Sequence, residues 1–267
     1  MRSSRLSATL LFVAILSTDP NDAEAFDAKA YLGHLQLESG VLVVTEAVTG
    51  LDVPWDVEAA ADGTIWFTQH AGTVSRLDPK TGSVSVALDS IPELYHKKSL
   101  GLLGMALHPE FTSSPEVFLH YTYQRSLPDL SEIIESRLVR YRFDGDQLVD
   151  PKVLFEGIPG RSYHNGSRIA IGPDQMLYLT TGDAGDPPSS LDPQALSGKV
   201  LRFNLDGSIP ADNPNPDSPV WSIGHRNPQG LVFSSDGKLY ASEHGPNNDD
   251  EVNLIRRGAN YGWPRVE

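Results

Sequence analysis

The sequence contains no cysteine among its 267 residues. Without cysteine the chain can form neither a disulfide nor a thiolate-ligated metal site, so any metal must be held by oxygen or nitrogen atoms. The lack of disulfides leaves the cellular compartment open, because an exported protein need not use them.

Positive charge is also scarce. The chain has 21 Lys and Arg against 35 Asp and Glu, and its formal net charge is -14. Nucleic-acid binding needs clustered Lys and Arg to face the phosphates, so this balance argues against a nucleic-acid partner. Hydrophobic residues make up 39% of the chain and charged residues 21%, near the norm for globular proteins, so we expect a packed core.

No apolar run in the sequence is long enough to span a membrane as a helix. The N-terminal run, Leu10–Leu16, follows Arg2 and Arg5 and precedes a small-x-small sequence at Ala23–Ala25. This pattern is typical of a cleaved secretory leader, so we predict a signal peptide over residues 1–25 and a periplasmic or secreted protein. An N-terminal strand or amphipathic helix is the alternative.

Short strand patterns separated by Asp, Gly and Pro turns repeat along residues 50–267, after an N-terminal segment at 26–49. Each unit predicts about four strands, and equivalent turns recur at intervals of roughly 60 residues, which is typical of propeller blades. The four turns contain Asp62, Pro115, Asp174 and Asp236. We therefore predict an all-β fold, a β-propeller with about four blades in this chain. A β-sandwich would not require a repeated unit.

The stretch from residue 221 to 264 combines three features that suit an anionic ligand. Arg226 stands beside Asn227 and Gln229, and a strand pattern follows. Next come Gly245-Pro246 and a run of oxygen side chains that ends at Glu251. A fork-shaped guanidinium suits a polycarboxylate, and clustered oxygen atoms suit calcium. The run lacks the alternating spacing of an EF-hand loop, and a solvated turn is its alternative interpretation.

Three blocks in this stretch resemble a known family. They are GHRNPQG at residues 224–230, SEHGPNNDDEVNLI at 242–255 and GANYGWP at 258–264. In this order they resemble the soluble quinoprotein glucose dehydrogenases and aldose sugar dehydrogenases, and the likeness extends from about residue 51. The resemblance implies a six-bladed propeller that uses pyrroloquinoline quinone (PQQ) and calcium. It also implies a small-molecule sugar substrate, an external electron acceptor and a chain truncated after about four blades.

The resemblance identifies His164 as the catalytic base and Asp183 as its carboxylate partner. Histidine suits a proton acceptor at neutral pH because its unperturbed pKa is about 6.5. A carboxylate beside the ring would hold it in one tautomer, as in catalytic triads. An ordinary exposed loop histidine is the alternative.

The resemblance further implies cofactor contacts and two calcium sites. Arg226, Asn227 and Gln229 match its cofactor-binding positions, and a turn fixed by Pro228 with an ion-paired Arg226 is the alternative. Its metal positions are matched by Gly245 and Pro246 for the calcium beside PQQ, and by Glu251 and Tyr261 for a second calcium. Ser99 departs from the pattern, because the family commonly has a glutamine there.

We accordingly predict oxidation of aldose sugars, with the hydroxyl proton passing to His164 and hydride to the quinone. Cations that would face Arg226 are expected in the missing blades, so this chain alone should bind PQQ poorly. Two alternatives remain open: a calcium-binding propeller that is a non-catalytic binding module, and a calcium-dependent lactonase-like hydrolase.

Overall fold

The computed structural model describes residues 8–15, 30–37, 40–127, 129 and 131–266. Arg2, Arg5 and the predicted cleavage site at Ala23–Ala25 lie outside these residues, so the signal peptide stays a prediction. In the described part, no helix is long and apolar enough to cross a membrane.

The N-terminal part forms a sheet whose first strand lies where an N-terminal strand was the alternative to a signal peptide, and whose other two strands were not predicted. Three antiparallel strands pair in the order β1-β3-β2: β1 (Ala8–Ile15), β2 (Ala30–Leu37) and β3 (Gly40–Leu51). The end of β3 packs on the first blade, where Ala47, Val48 and Leu51 cover Phe67 and Leu77.

Four further sheets follow, each an antiparallel meander with its strands in chain order. The first blade is β4 (Pro54–Ala59), β5 (Ile65–Gln69), β6 (Thr73–Asp78) and β7 (Ser83–Leu88). The second is β8 (Leu102–Leu107), β9 (Glu116–Ser126), β10 (Glu132–Phe143) and β11 (Leu148–Pro159). The third is β12 (Ile169–Ile171), β13 (Leu177–Thr181), β14 (Lys199–Phe203) and β15 (Val220–Ile223). The fourth is β16 (Pro228–Phe233), β17 (Leu239–Glu243) and β18 (Glu251–Ile255).

This architecture confirms the predicted all-β fold and the four propeller blades, of which the fourth has three strands in the described residues. Each predicted turn lies between the first and second strands of its blade. The turn residues act through their side chains: an oxygen of Asp62 accepts the Thr64 N–H at 2.9 Å, and an oxygen of Asp174 accepts that of Met176 at 3.3 Å. Such Asx turns reverse the chain within a few residues.

The hydrophobic core consists of apolar layers between neighbouring blades. Alternate residues of a strand point to opposite faces of its sheet, so one strand can serve two layers. In β9, Val117 and Leu119 pack towards the first blade, whereas Phe118 packs towards the third. A further layer around Leu231 and Ala241 joins the third blade to the fourth.

One partly buried ion pair links the innermost strands of all four blades. Asp56 on β4 accepts a hydrogen bond from Arg168, just before β12, and another from the Met105 N–H on β8 at 2.9 Å. The Nε of Arg168 donates to the carbonyl oxygen of Gln229 on β16 at 3.0 Å. Burial raises the pKa of Asp56, and Arg168 and the Met105 N–H oppose that rise. This pair therefore fixes the inner strands relative to one another.

Candidate active site

His164 lies in the loop between the second and third blades, in a left-handed backbone conformation with φ of 56°. The loop packs on the segment that follows β13, where the Ala184 N–H donates to the His164 carbonyl oxygen at 3.1 Å. A Cβ at Gly182 would lie 2.1 Å from that same oxygen, so only glycine permits this close approach. Residues 182–184 therefore fix the position of the loop that carries His164.

The structure brings His164 and Asp183 together: Nδ1 of the ring lies 2.8 Å from Oδ1 of the carboxylate. The Asp183 side chain is 1% exposed and that of His164 is 20% exposed. Two more donors fix the carboxylate, the Gly185 N–H at 2.8 Å and the Trp263 indole N–H at 3.0 Å. Because the carboxylate accepts at Nδ1, that nitrogen carries the hydrogen and Nε2 presents its lone pair.

The electrostatics of Asp183 favour its ionised form. Burial alone would raise its pKa, but hydrogen bonds from His164, Gly185 and Trp263 outweigh burial and hold the pKa of Asp183 below its ordinary value. The ring of His164 therefore lies beside a negative charge that would stabilise it when it is protonated.

Arg226 lies next to this pair. The Asp183 N–H donates to the Arg226 carbonyl oxygen at 2.8 Å. The guanidinium carbon is 5.3 Å from the centre of the Trp263 ring, and Nη1 donates to the His244 carbonyl oxygen at 3.1 Å. The buried Nε has no hydrogen-bond partner among the described residues. One tryptophan thus contacts both the carboxylate of the pair and the neighbouring cation.

Asn227 and Gln229 hold the histidine loop. Oδ1 of Asn227 accepts the Gly166 N–H at 3.1 Å, and Nε2 of Gln229 donates to the Gly166 carbonyl oxygen at 3.1 Å. The two side chains also bond to each other at 3.1 Å. The structure therefore places both amides against the peptide group of Gly166, two residues after His164.

A second histidine–carboxylate pair, which the sequence analysis missed, lies behind Arg226. Nδ1 of His225 is 2.9 Å from Oε2 of Glu243, and Nε2 is 2.9 Å from the Ser222 hydroxyl oxygen. The His225 side chain is fully buried and that of Glu243 is 3% exposed. Both residues stand inside the GHRNPQG and SEHGP blocks, so their presence was visible, but their contact was not.

Three of the predicted metal ligands, Gly245, Pro246 and Glu251, lie in or next to the loop that follows β17, whereas Tyr261 follows β18. The Gly245 N–H donates to an oxygen of Asp250 at 3.0 Å, and the Asn248 carbonyl oxygen approaches so closely that a Cβ on Gly245 would meet it at 1.8 Å. Glu251 accepts from the Asn253 side chain at 3.0 Å, and the Tyr261 hydroxyl donates to the Leu254 carbonyl oxygen at 2.6 Å.

These residues do not form a side-chain metal cluster. Throughout the described part of the chain, no three His, Asp or Glu side chains converge as a metal site would require. Calcium held by Gly245, Pro246 and Tyr261 would rely on main-chain oxygens, which calcium accepts as ligands.

Ser99 reaches the histidine loop through its main chain. Its carbonyl oxygen accepts from the Asn165 amide at 3.4 Å, next to His164 in sequence. Beside it, His70 stacks on Trp55 with 5.0 Å between ring centres, and burial lowers the pKa of His70 to about 4.

Residues 51–267 match the Glucose / Sorbosone dehydrogenase family. Quinoprotein glucose dehydrogenase B of Acinetobacter calcoaceticus is 38% identical over 247 residues, or 82% of this chain and 52% of that protein. Aldose sugar dehydrogenase of Escherichia coli is 29% identical over 236 residues, or 80% of this chain and 59% of that protein.

A solved structure gives the same likeness. The PQQ-bound form of aldose sugar dehydrogenase from Streptomyces coelicolor has a TM-score of 0.76 and 34% identity, and the match covers 97% of this chain and 68% of that one. The chain therefore spans about half the length of the Acinetobacter protein and two thirds of the Streptomyces chain.

Proposed function

The chain belongs to the glucose/sorbosone dehydrogenase family, and on that basis we propose that it oxidises aldose sugars with PQQ as cofactor. The observation that carries the proposal is the His164–Asp183 pair, a partly exposed imidazole on a buried carboxylate 2.8 Å away. The PQQ-bound relative from Streptomyces coelicolor supports the cofactor, and the quinoprotein from Acinetobacter calcoaceticus supports the reaction class.

The residues at the site fit an anionic planar cofactor. PQQ carries three carboxylates, and Arg226 offers a permanent cation whose buried Nε has no partner among the described residues. The Trp263 ring fixes the position of that cation. We propose that Arg226 holds the cofactor and that Asn227 and Gln229 support it by fixing the Gly166 peptide. When bound, PQQ would supply the acceptor for the hydride that leaves the sugar carbon.

In the proposed reaction His164 acts as the general base. Its Nε2 takes the proton of the sugar hydroxyl, and the imidazolium that forms is stabilised by the Asp183 carboxylate at Nδ1. Asp183 keeps its negative charge because the Gly185 and Trp263 hydrogen bonds favour the ionised form. Arg226 would stabilise the negative charge that develops on the cofactor when it accepts the hydride.

We further propose calcium at the loop after β17, with Gly245 and Pro246 on the cofactor side and Glu251 and Tyr261 at a second position. The oxygen-only donors support this, since calcium prefers oxygen ligands. Export through the N-terminal leader and transfer of electrons to an external acceptor complete the proposal.

The test is a titration of the protein with PQQ in calcium, followed by addition of an aldose. Saturable PQQ binding and sugar-dependent reduction of the cofactor, followed by its absorbance, would support the proposed function. Weak PQQ binding with little turnover is what the sequence analysis predicts for this chain alone. Calcium-dependent stabilisation without any PQQ binding would instead support the non-catalytic binding module. Lactone hydrolysis that needs calcium but not PQQ would support the hydrolase.

A further inference from the structure

The carboxylate of Glu243, the last residue of β17, is buried and accepts three hydrogen bonds. Oε2 accepts from Nδ1 of His225 at 2.9 Å. Oε1 accepts from the main-chain N–H groups of Arg226 and Asn227, the latter at 3.1 Å. A single side-chain oxygen therefore fixes two consecutive peptide groups.

The dipeptide that Glu243 holds is also the one that reaches the candidate base. On its far side the Arg226 carbonyl oxygen accepts the Asp183 N–H at 2.8 Å. The Asn227 side chain accepts the Gly166 N–H at 3.1 Å. Glu243 thus connects to Asp183 and to the histidine loop at Gly166 through one pair of residues, although it touches neither.

His225, the side-chain partner of Glu243, is enclosed by other residues. Nε2 of His225 bonds to the Ser222 hydroxyl at 2.9 Å, and its ring stacks on Tyr261 with 4.6 Å between ring centres. The order serine, histidine, carboxylate is that of a hydrolytic triad. Ser222 is only 1% exposed and His225 is fully buried, so no substrate can reach the hydroxyl. The three residues therefore serve to orient, not to attack.

We propose that Glu243 is a positioning residue of this site, which fixes the Arg226–Asn227 dipeptide so that the guanidinium and the His164–Asp183 pair face one ligand. The identity of the ligand rests on the proposed function. The positioning of the dipeptide by Glu243 rests on the hydrogen bonds alone. A glutamine at position 243 has one oxygen instead of two for His225 and both N–H groups, so the hydrogen bonds that hold the dipeptide would weaken and the dipeptide could rotate. Arg226 and Asp183 would then move together, since their main chains are bonded.

The test compares Glu243→Gln with a matched control, Glu135→Gln. Glu135 is also a buried carboxylate with side-chain partners, Tyr123 and Arg125, but it lies in the second blade. Amide hydrogen exchange is measured at Arg226, Asn227 and Asp183, and PQQ affinity is measured by titration in calcium. We expect exchange about tenfold faster or more, and PQQ binding weaker by a similar factor, in Glu243→Gln only.

Unchanged protection of these three amides in Glu243→Gln would overturn the proposal. If that variant does not fold, Glu243→Asp takes its place, because it keeps a carboxyl group on a shorter side chain. Faster exchange at Arg226 supports the positioning role, and wild-type protection overturns it. If the wild-type chain binds no PQQ, the proposed function fails, while the exchange data still decide the role of Glu243.

Discussion

Two histidine–carboxylate pairs of nearly equal geometry lie on either side of Arg226. In the outer pair Nδ1 of His164 is 2.8 Å from Asp183, and in the inner pair Nδ1 of His225 is 2.9 Å from Glu243. The outer imidazole is 20% exposed, and no hydrogen bond to its Nε2 is found among the described residues. The inner imidazole is fully buried, and Ser222 occupies its Nε2.

The difference shows that a carboxylate at Nδ1 does not by itself make a histidine a base. Proton transfer also needs a second nitrogen that a substrate can reach. Both ring nitrogens of His225 are hydrogen-bonded to neighbouring side chains. His225 therefore contributes to stability and to the orientation of the Arg226–Asn227 dipeptide. His164 keeps one nitrogen available, which is why we assign the chemistry to it.

Removing the outer imidazole should have the largest effect, and on turnover alone. Because His164 adopts a left-handed conformation that asparagine tolerates, His164→Asn is the suitable change. We expect turnover of sugar to fall by about 10²–10⁴-fold, the usual weight of general-base catalysis, with little change in unfolding. Steady-state kinetics of the holoenzyme measure this, with His108→Asn as the control outside the site. Near-normal turnover would remove His164 from the mechanism.

Removing the inner imidazole should mainly lower the stability of the protein. His225→Ala leaves the Glu243 carboxylate and the Ser222 hydroxyl buried without this partner, and we expect a loss of about 3–5 kcal/mol in the free energy of unfolding. Chemical denaturation of His225→Ala and His164→Asn gives the comparison. Equal losses from both would contradict the distinction between a sealed pair and an open one.

Changing the outer carboxylate should have a smaller effect than removing the base. Asp183→Asn keeps the shape but loses the charge that orients His164 and stabilises it when protonated. We expect a fall of about 10–100-fold in turnover, as for other groups that orient a functional residue. Since the folded pKa of Asp183 is lowered, its stabilising contribution exists above the unfolded pKa and is lost as pH falls through the folded value. The asparagine variant should therefore unfold with a weaker acid dependence, measured by denaturation between neutral and acid pH.

A third histidine, His120, is buried without a carboxylate partner among the described residues. It is fully buried, neither ring nitrogen has a partner among the described residues, and burial lowers its pKa to about 3. The pKa of His120 is about 6.5 in the unfolded state and about 3 in the folded state. Between these two pH values His120 is protonated only in the unfolded state, so the free energy of unfolding falls as pH falls.

The slope from one such proton is about 1.4 kcal/mol per pH unit. His120→Leu should flatten the acid side of the stability profile by that amount without a loss at neutral pH, as denaturation at several pH values would show. An unchanged slope would mean that His120 is protonated in the folded protein.

Much of the fold followed from local patterns. The strands and the Asp turns at Asp62 and Asp174 depend on residues a few positions apart, so the four blades were predictable. The sheet that contains β3 was not predicted, because nothing in the turn spacing of the repeated units extends to it. The Asp56–Arg168 pair joins residues 112 apart in sequence, a distance at which pattern gives no register.

At the site, the three sequence blocks and the position of His164 pointed to the residues, and the structure decided how they are used. Asn227 and Gln229 were expected at the cofactor, and their observed hydrogen bonds hold the Gly166 peptide. The Trp263 indole, visible in the GANYGWP block, had no predicted partner and binds Asp183. In both cases the partner lies in another blade, or in a segment distant in sequence.

By itself the sequence determined the all-β class, the turn between the first two strands of each blade and the absence of thiol chemistry. Those properties follow from composition and from side chains that act on their own neighbourhood. Only the tertiary structure decided which of two similar histidines is open and which is sealed. His225 stands in the more distinctive motif, yet it is closed off by Ser222, Glu243 and Tyr261. Burial and the occupancy of a ring nitrogen depend on which distant strands the fold brings together, and no local pattern contains that information.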